Sequence, residues 1–251
     1  MPVPNVEVIA IGFAAGMIGS VLGIGGGVLM TPLLIALGYD ITVAVPASLL
    51  AIVGTSVGGL YVYEKEGLVD YRLGTLLLSA TVLGSIIGVM IAAQGYKQVM
   101  RLVLAVTLVY TGIAMLRKSG GAQSPRGEAG GGPRRLAAGW AASLVAGAVS
   151  SLAGVGGGVL VVPIINRIVG APIKRATATS KMMLGATAAT GALGYLLLDY
   201  MEPCLGLLLL AGTLTGGLAG SLLGVRVSGK AVTIAFAVLL IVMGLLVIVR
   251  G

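Results

Sequence analysis

Histidine is absent from this 251-residue chain, and cysteine occurs once, as Cys204. Without histidine there is no imidazole metal site, no Ser-His triad and no histidine proton relay. A single cysteine excludes an internal disulfide and leaves the redox compartment unread. Charge is scarce as well, with 10% of residues charged and 4% aromatic. A soluble domain carries about 25% charged residues, because its surface must face water. Collagen-like and disordered readings fail on the missing triplet period and the high hydrophobicity. The chain also starts without a basic flank and holds Glu7 early, so its first residues do not read as a cleaved signal peptide.

What is present is apolar. Hydrophobic residues make up 57% of the chain, and the mean hydropathy is +1.09. Glycine, with 42 residues, suits helices that approach closely in a membrane. A spanning helix needs about 20 apolar residues to cross a hydrocarbon core roughly 30 Å thick. Spans are therefore expected at residues 41–63, 71–93 and 97–116, and again at 176–199, 203–227 and 230–249. Each set is preceded by a longer apolar stretch, 6–37 and 136–169, interrupted by GIGGG at 23–27 and GVGGG at 154–158. The fold class expected is all-α, polytopic and transmembrane. The net charge of +8 does not point to nucleic acid, because the basic residues sit at the ends of apolar runs, where a lipid bilayer partner places them.

Residues 117–135 are rich in Gly, Ser, Pro and Arg and read as a flexible polar linker. They divide the chain into a first membrane repeat, 1–116, and a second, 136–251. The halves match: SVLGIGGGVLMTPLL from Ser20 aligns with SLAGVGGGVLVVPII from Ser151. Ser48 then matches Ser180, Gly59 matches Gly191, and Gly84-Ser85-x-x-Gly88 matches Gly220-Ser221-x-x-Gly224. If each opening stretch enters at its Gly break and returns, each half crosses three times and the repeats are inverted. Thirteen of the 16 Lys and Arg then share one face, leaving Lys97, Arg101 and Arg250 opposite. That layout puts the linker in the cytoplasm and both termini outside.

A backbone break inside a membrane is tolerated where protein buries it or where it lines a cavity. Gly25, Gly26 and Gly27 offer bare N–H groups at the start of an apolar half-helix, and Gly156, Gly157 and Gly158 repeat the pattern. Two such N-termini facing each other would make an anion site near the midplane without a buried charged side chain. Close helix packing is the plainer use of a glycine run; its doubling, with Pro32 and Pro163 at matched places, favours a site. Ser48 and Ser180 could donate to an oxyanion or bond back to their own helix. Lys181, inside an apolar segment, could meet an anion or snorkel to the interface. Thr177 and Thr179 are weaker candidates. Asn166 and Arg167 are expected to cap and anchor the second half-helix. No nucleotide motif and no cofactor or metal site is read.

The motifs GIGGGVLMTPLL (23–34), GVGGGVLVVPII (154–165) and ATATS (176–180) resemble the TauE/SafE family of sulfite and sulfoacetate exporters. The resemblance extends to the length, the paired halves and the polar centre. It implies a secondary transporter, exporting small sulfur-containing anions such as sulfite or organosulfonates across a prokaryotic inner membrane. A homodimer is compatible with it. Val45-Pro-Ala-Ser48 departs from the Ala-Thr-Ser form of the second half, so the repeats need not contact substrate equally. The alternatives are an anion channel or a non-transporting membrane scaffold. No enzyme is expected, since no paired carboxylates lie within the spans.

Overall fold

The structure, a computed structural model, describes residues 5–21, 27–119, 132–224 and 230–249. Among them there is no strand. In the first half, α1 (Asn5–Val21) and the short α2 (Gly27–Ala36) precede three long helices, α3 (Ile41–Lys65), α4 (Tyr71–Ala93) and α5 (Lys97–Ser119). The second half repeats the order. α6 (Pro133–Ala153) is followed by α7 (Gly158–Pro163), which continues as a π-helical turn over Ile164–Val169. Then come α8 (Ile173–Leu197), α9 (Pro203–Gly224) and α10 (Lys230–Val249).

Helix ends fall where the local chemistry changes. Asp40 caps α3, its carboxylate accepting from the Thr42 N–H at 3.0 Å, and Asp70 does the same for α4 through the Leu73 N–H. Pro133 opens α6 at a position where its missing N–H costs nothing. The two ends of the expected linker are helical: 117–119 extend α5 and 133–135 begin α6. The middle of the linker lies outside the described residues.

Among the described residues, five helices, α3, α4, α5, α6 and α9, are long and apolar enough to cross a membrane. Four of them are expected spans. The fifth, α6, shows that the second opening stretch holds a full-length helix before its break. α8 is as long as α3, but Thr177, Thr179, Ser180, Lys181 and Thr187 make it more polar. Most of those side chains are buried, so the polar face of α8 is turned inward, while Leu193, Leu196 and Leu197 near its end are exposed. The second opening stretch turns back on itself. Val169 lies where a Cβ on Gly139 would meet its methyl at 2.9 Å, and Gly170 lies by the Arg135 guanidinium. From Gly139 to the break the hairpin reaches about 20 Å along α6, at 1.5 Å per residue. Pro163 cannot donate to the preceding turn, and the chain answers by widening to π bonding. Asn166 then caps the end, donating to the Ala171 carbonyl at 2.8 Å.

The repeats interleave rather than sit side by side. α1 packs on α9, α4 on α6, α5 on α10, and α3 on both α8 and α9. Glycine makes these approaches close: a Cβ on Gly84 would overlap the Leu144 carbonyl, and one on Gly216 the Phe13 carbonyl. Without a hydrophobic drive between helices in lipid, such contact supplies the packing energy. The pairings also give directions. Gly12 faces Leu209 and Met17 faces Gly220, so α1 and α9 are parallel; Gly84 with Leu144 and Gly88 with Ala148 make α4 and α6 parallel. α3 and α8 are antiparallel, with Ser56 against Gly185 and Leu49 against Gly191. α5 and α10 are antiparallel too, with Gly112 against Ala237 and Ala105 against Gly244.

Candidate functional site

The second break is built by backbone conformation. Gly154 ends α6 with φ of 64°, and Gly156 and Gly157 follow at 76° and 57°. These are left-handed values that a side chain strains to adopt, which explains the run of bare residues. Gly157 is the N-cap of α7, and no side chain caps it. The N-terminal end of the returning helix is thus left to its own backbone donors. The Gly154 carbonyl accepts from Thr31 Oγ1, at 2.9 Å, so half-helix α2 is tied to the break of the other repeat.

Of the first break, only Gly27 lies within the described residues; Gly25 and Gly26 fall outside them. Gly27 is buried at the start of α2. A Cβ there would run into Ile52 Cγ1, and a Cβ on Gly156 would come within 2.7 Å of Ile52 Cδ1. One side chain, itself 1% exposed, therefore touches both Gly motifs. Gly27 and Gly156, 129 positions apart in sequence, meet across it. Beside them Gly156, Gly157, Thr81, Thr187 and Leu184 line a narrow crevice with no room for a water molecule. The Thr187 hydroxyl donates to that of Thr81 at 2.7 Å.

The expected serines are both buried, and both point their protons at their own helices. Ser48 donates to the Ala44 carbonyl at 2.7 Å and Ser180 to that of Thr177 at 2.8 Å. Thr177 bonds back to Ile173, whereas Thr179 accepts from the Asp70 N–H and fixes the α3–α4 loop on α8. Lys181 does not snorkel. Its side chain is fully buried, and its amine donates to Ser20 Oγ across a long 3.4 Å. Ile52 and Thr31 were not singled out from sequence. Nothing in a generic apolar residue or a lone Thr marks a contact to a break in the other half. Ser20, Ser85, Ser151 and Ser221 carried a signal, since each is matched between repeats.

Comparison with known proteins accords with this architecture. The family model described as Sulfite exporter TauE/SafE matches residues 8–247. Probable membrane transporter protein YunE of Bacillus subtilis (strain 168) is 26% identical over 98% of this chain and 98% of its own length. A probable membrane transporter protein of Xylella fastidiosa (strain 9a5c) is 28% identical over 88% of this chain and 83% of its own. No solved structure matches the chain.

Proposed function

The chain belongs to the TauE/SafE sulfite exporter family and is a multi-pass membrane transporter; from this premise we propose that it is a secondary carrier exporting small sulfur-containing anions, sulfite or organosulfonates, across a prokaryotic inner membrane. The anion binds where the Gly breaks meet, at the N-terminal ends of α2 and of the α7 helix. Their backbone donors and dipoles attract negative charge without placing a carboxylate or cation in lipid.

One observation carries this reading: Ile52 touches Gly27 and Gly156 together, so two half-helix starts from different repeats share one place. An inverted pair of repeats is supported by the parallel α1–α9 and α4–α6 pairs and by the return of the chain from Gly154 to Arg135. The crevice beside Gly156 and Gly157 has no room for water, as expected of a carrier that opens alternately rather than of a channel standing open.

Purified protein in liposomes loaded with labelled sulfite tests the proposal. A saturable efflux that unlabelled sulfite competes supports it. Large unitary currents would replace the carrier with a channel, and no flux of sulfite, sulfoacetate or taurine would overturn the substrate class.

A further inference from the structure

The repeats contain one matched cluster that differs in a single residue. In the first copy, a Cβ on Gly191 of α8 would meet Ser151 Oγ at 2.9 Å, Leu49 Cδ1 at 3.0 Å and Ser85 Oγ at 3.1 Å. In the second, a Cβ on Gly59 of α3 would meet Ser221 Oγ at 3.1 Å and Lys181 Nζ at 3.2 Å. Ser20, the counterpart of Ser151, completes it as the partner of Lys181. Leu49 and Lys181 hold the same place, each directly after the matched Ser48 and Ser180.

The two copies are satisfied very differently. Around Leu49, Ser85 and Ser151 lie 2.6 Å apart and share a hydrogen bond, Ser85 also reaches the Thr187 carbonyl, and all these groups are buried. That copy is closed on itself. Around Lys181 the hydroxyl of Ser221 is buried and has no partner among the described residues. Among the described residues, the amine has only the long contact to Ser20, and no carboxylate pairs with it. An ammonium brings three donors, and removing it from water without a counter-ion is costly. An oxyanion would supply what is missing: a negative charge for Lys181 and acceptors for Ser221 and Ser20.

We propose that Lys181, Ser20 and Ser221 form a buried binding station for a small oxyanion, present in the second copy of this cluster and replaced by Leu49 packing in the first. The proposal deepens the transport reading and rests on it, for the cargo's charge is paired here by a fixed cation. It also accounts for a cation kept where the other repeat shows that leucine fits. The repeats then have unequal parts, with one of the two matched faces carrying the charge.

The test uses full-length protein in detergent, titrated with sulfite and with sulfate, reading thermal stability and equilibrium affinity. Lys181→Leu should fold, because the matched position already holds a leucine, and should gain stability in the absence of anion. Its sulfite affinity should fall at least tenfold. Ser221→Ala, which keeps the charge, should lose part of the affinity while remaining folded. If Lys181→Leu binds sulfite as wild type does, the station is overturned and the transport reading stands. If stabilisation by anion depends on Lys181 but liposomes show no sulfite flux, the transport reading falls instead. A wild-type protein stabilised by neither anion overturns the station.

Discussion

Thr31 of α2 donates its hydroxyl to the carbonyl of Gly154, the residue that ends α6 in the other repeat. The last carbonyls of a helix have no intrahelical donor, and a left-handed terminal residue exposes them further. Here the missing donor comes from 123 positions away. The matched residue in the second repeat is Val162, so this tie exists in one direction only.

Thr31→Val keeps the shape and removes the donor. It should leave a buried carbonyl unpaired and cost about 1–3 kcal/mol. Thermal unfolding in detergent measures this directly, and a midpoint equal to wild type would show that the tie is dispensable. Thr31→Ser should retain most of the stability.

Much of the fold was legible, for physical reasons that these residues illustrate. The spans expected from residues 41, 71, 97 and 203 begin where Asp40, Asp70, Lys97 and Pro203 interrupt the apolar runs, and the helices start at those points. The second Gly break was legible as a break because L side chains rarely adopt φ near 60°, and three of its glycines do. Long-range neighbours were another matter. Ile52 looks like any apolar residue of a span, and its contact with both breaks follows from the crossing of α3 past two half-helices. Lys181 had two readings, interface or interior. The choice depends on Ser20 and Gly59, which local sequence does not bring near it.

The topology gives a labelling prediction. Glu66 and Gln94 are exposed at opposite ends of α4. In a Cys204→Ala background, Gln94→Cys should react with an impermeant maleimide added outside whole cells. Glu66→Cys should react only after permeabilisation, since the basic residues near Glu66 place that end in the cytoplasm. The reverse pattern would invert the orientation, and labelling of both from outside would mean that α4 does not span.

At the end of the bundle that holds Gln94, Asp40 pairs with Lys97 at 3.0 Å. Backbone donation from Thr42 comes first among the causes that hold the Asp40 carboxyl at about 2, with the Thr42 hydroxyl and Lys97 assisting. A carboxyl depressed on folding stabilises the protein above its unfolded value, near 3.8, and that contribution is lost as pH falls toward 2. Because both side chains are largely in water, the pair itself is worth under about 1 kcal/mol. Asp40→Ala should therefore cost mainly the cap, about 1 kcal/mol at neutral pH. It should also flatten the pH dependence of the unfolding midpoint between roughly pH 4 and 2. Asp40→Asn, still a good cap, should lose the pH dependence and little else.

The meeting of the two breaks at Ile52 makes a prediction that no single substitution can. Gly27 is helical, so Gly27→Ala has no backbone strain to pay for; its only obstacle is the overlap with Ile52 Cγ1. Ile52→Ala removes that obstacle and opens a cavity, at a cost of about 2–5 kcal/mol by itself. The two changes together should be less harmful than the sum of their separate effects, because the added methyl occupies space the truncation leaves. Residues in contact show such coupling at about 0.5–3 kcal/mol, and distant ones add. Gly156→Ala also approaches Ile52, yet its φ of 76° remains strained whatever fills position 52. Ile52→Ala should therefore rescue Gly27→Ala more fully than Gly156→Ala, in both unfolding midpoint and sulfite efflux. Strict additivity in the Gly27–Ile52 pair would mean that this side chain does not bridge the two breaks. Restored stability without restored efflux would put the requirement for bare backbone at Gly27 itself, where an approaching anion would need it.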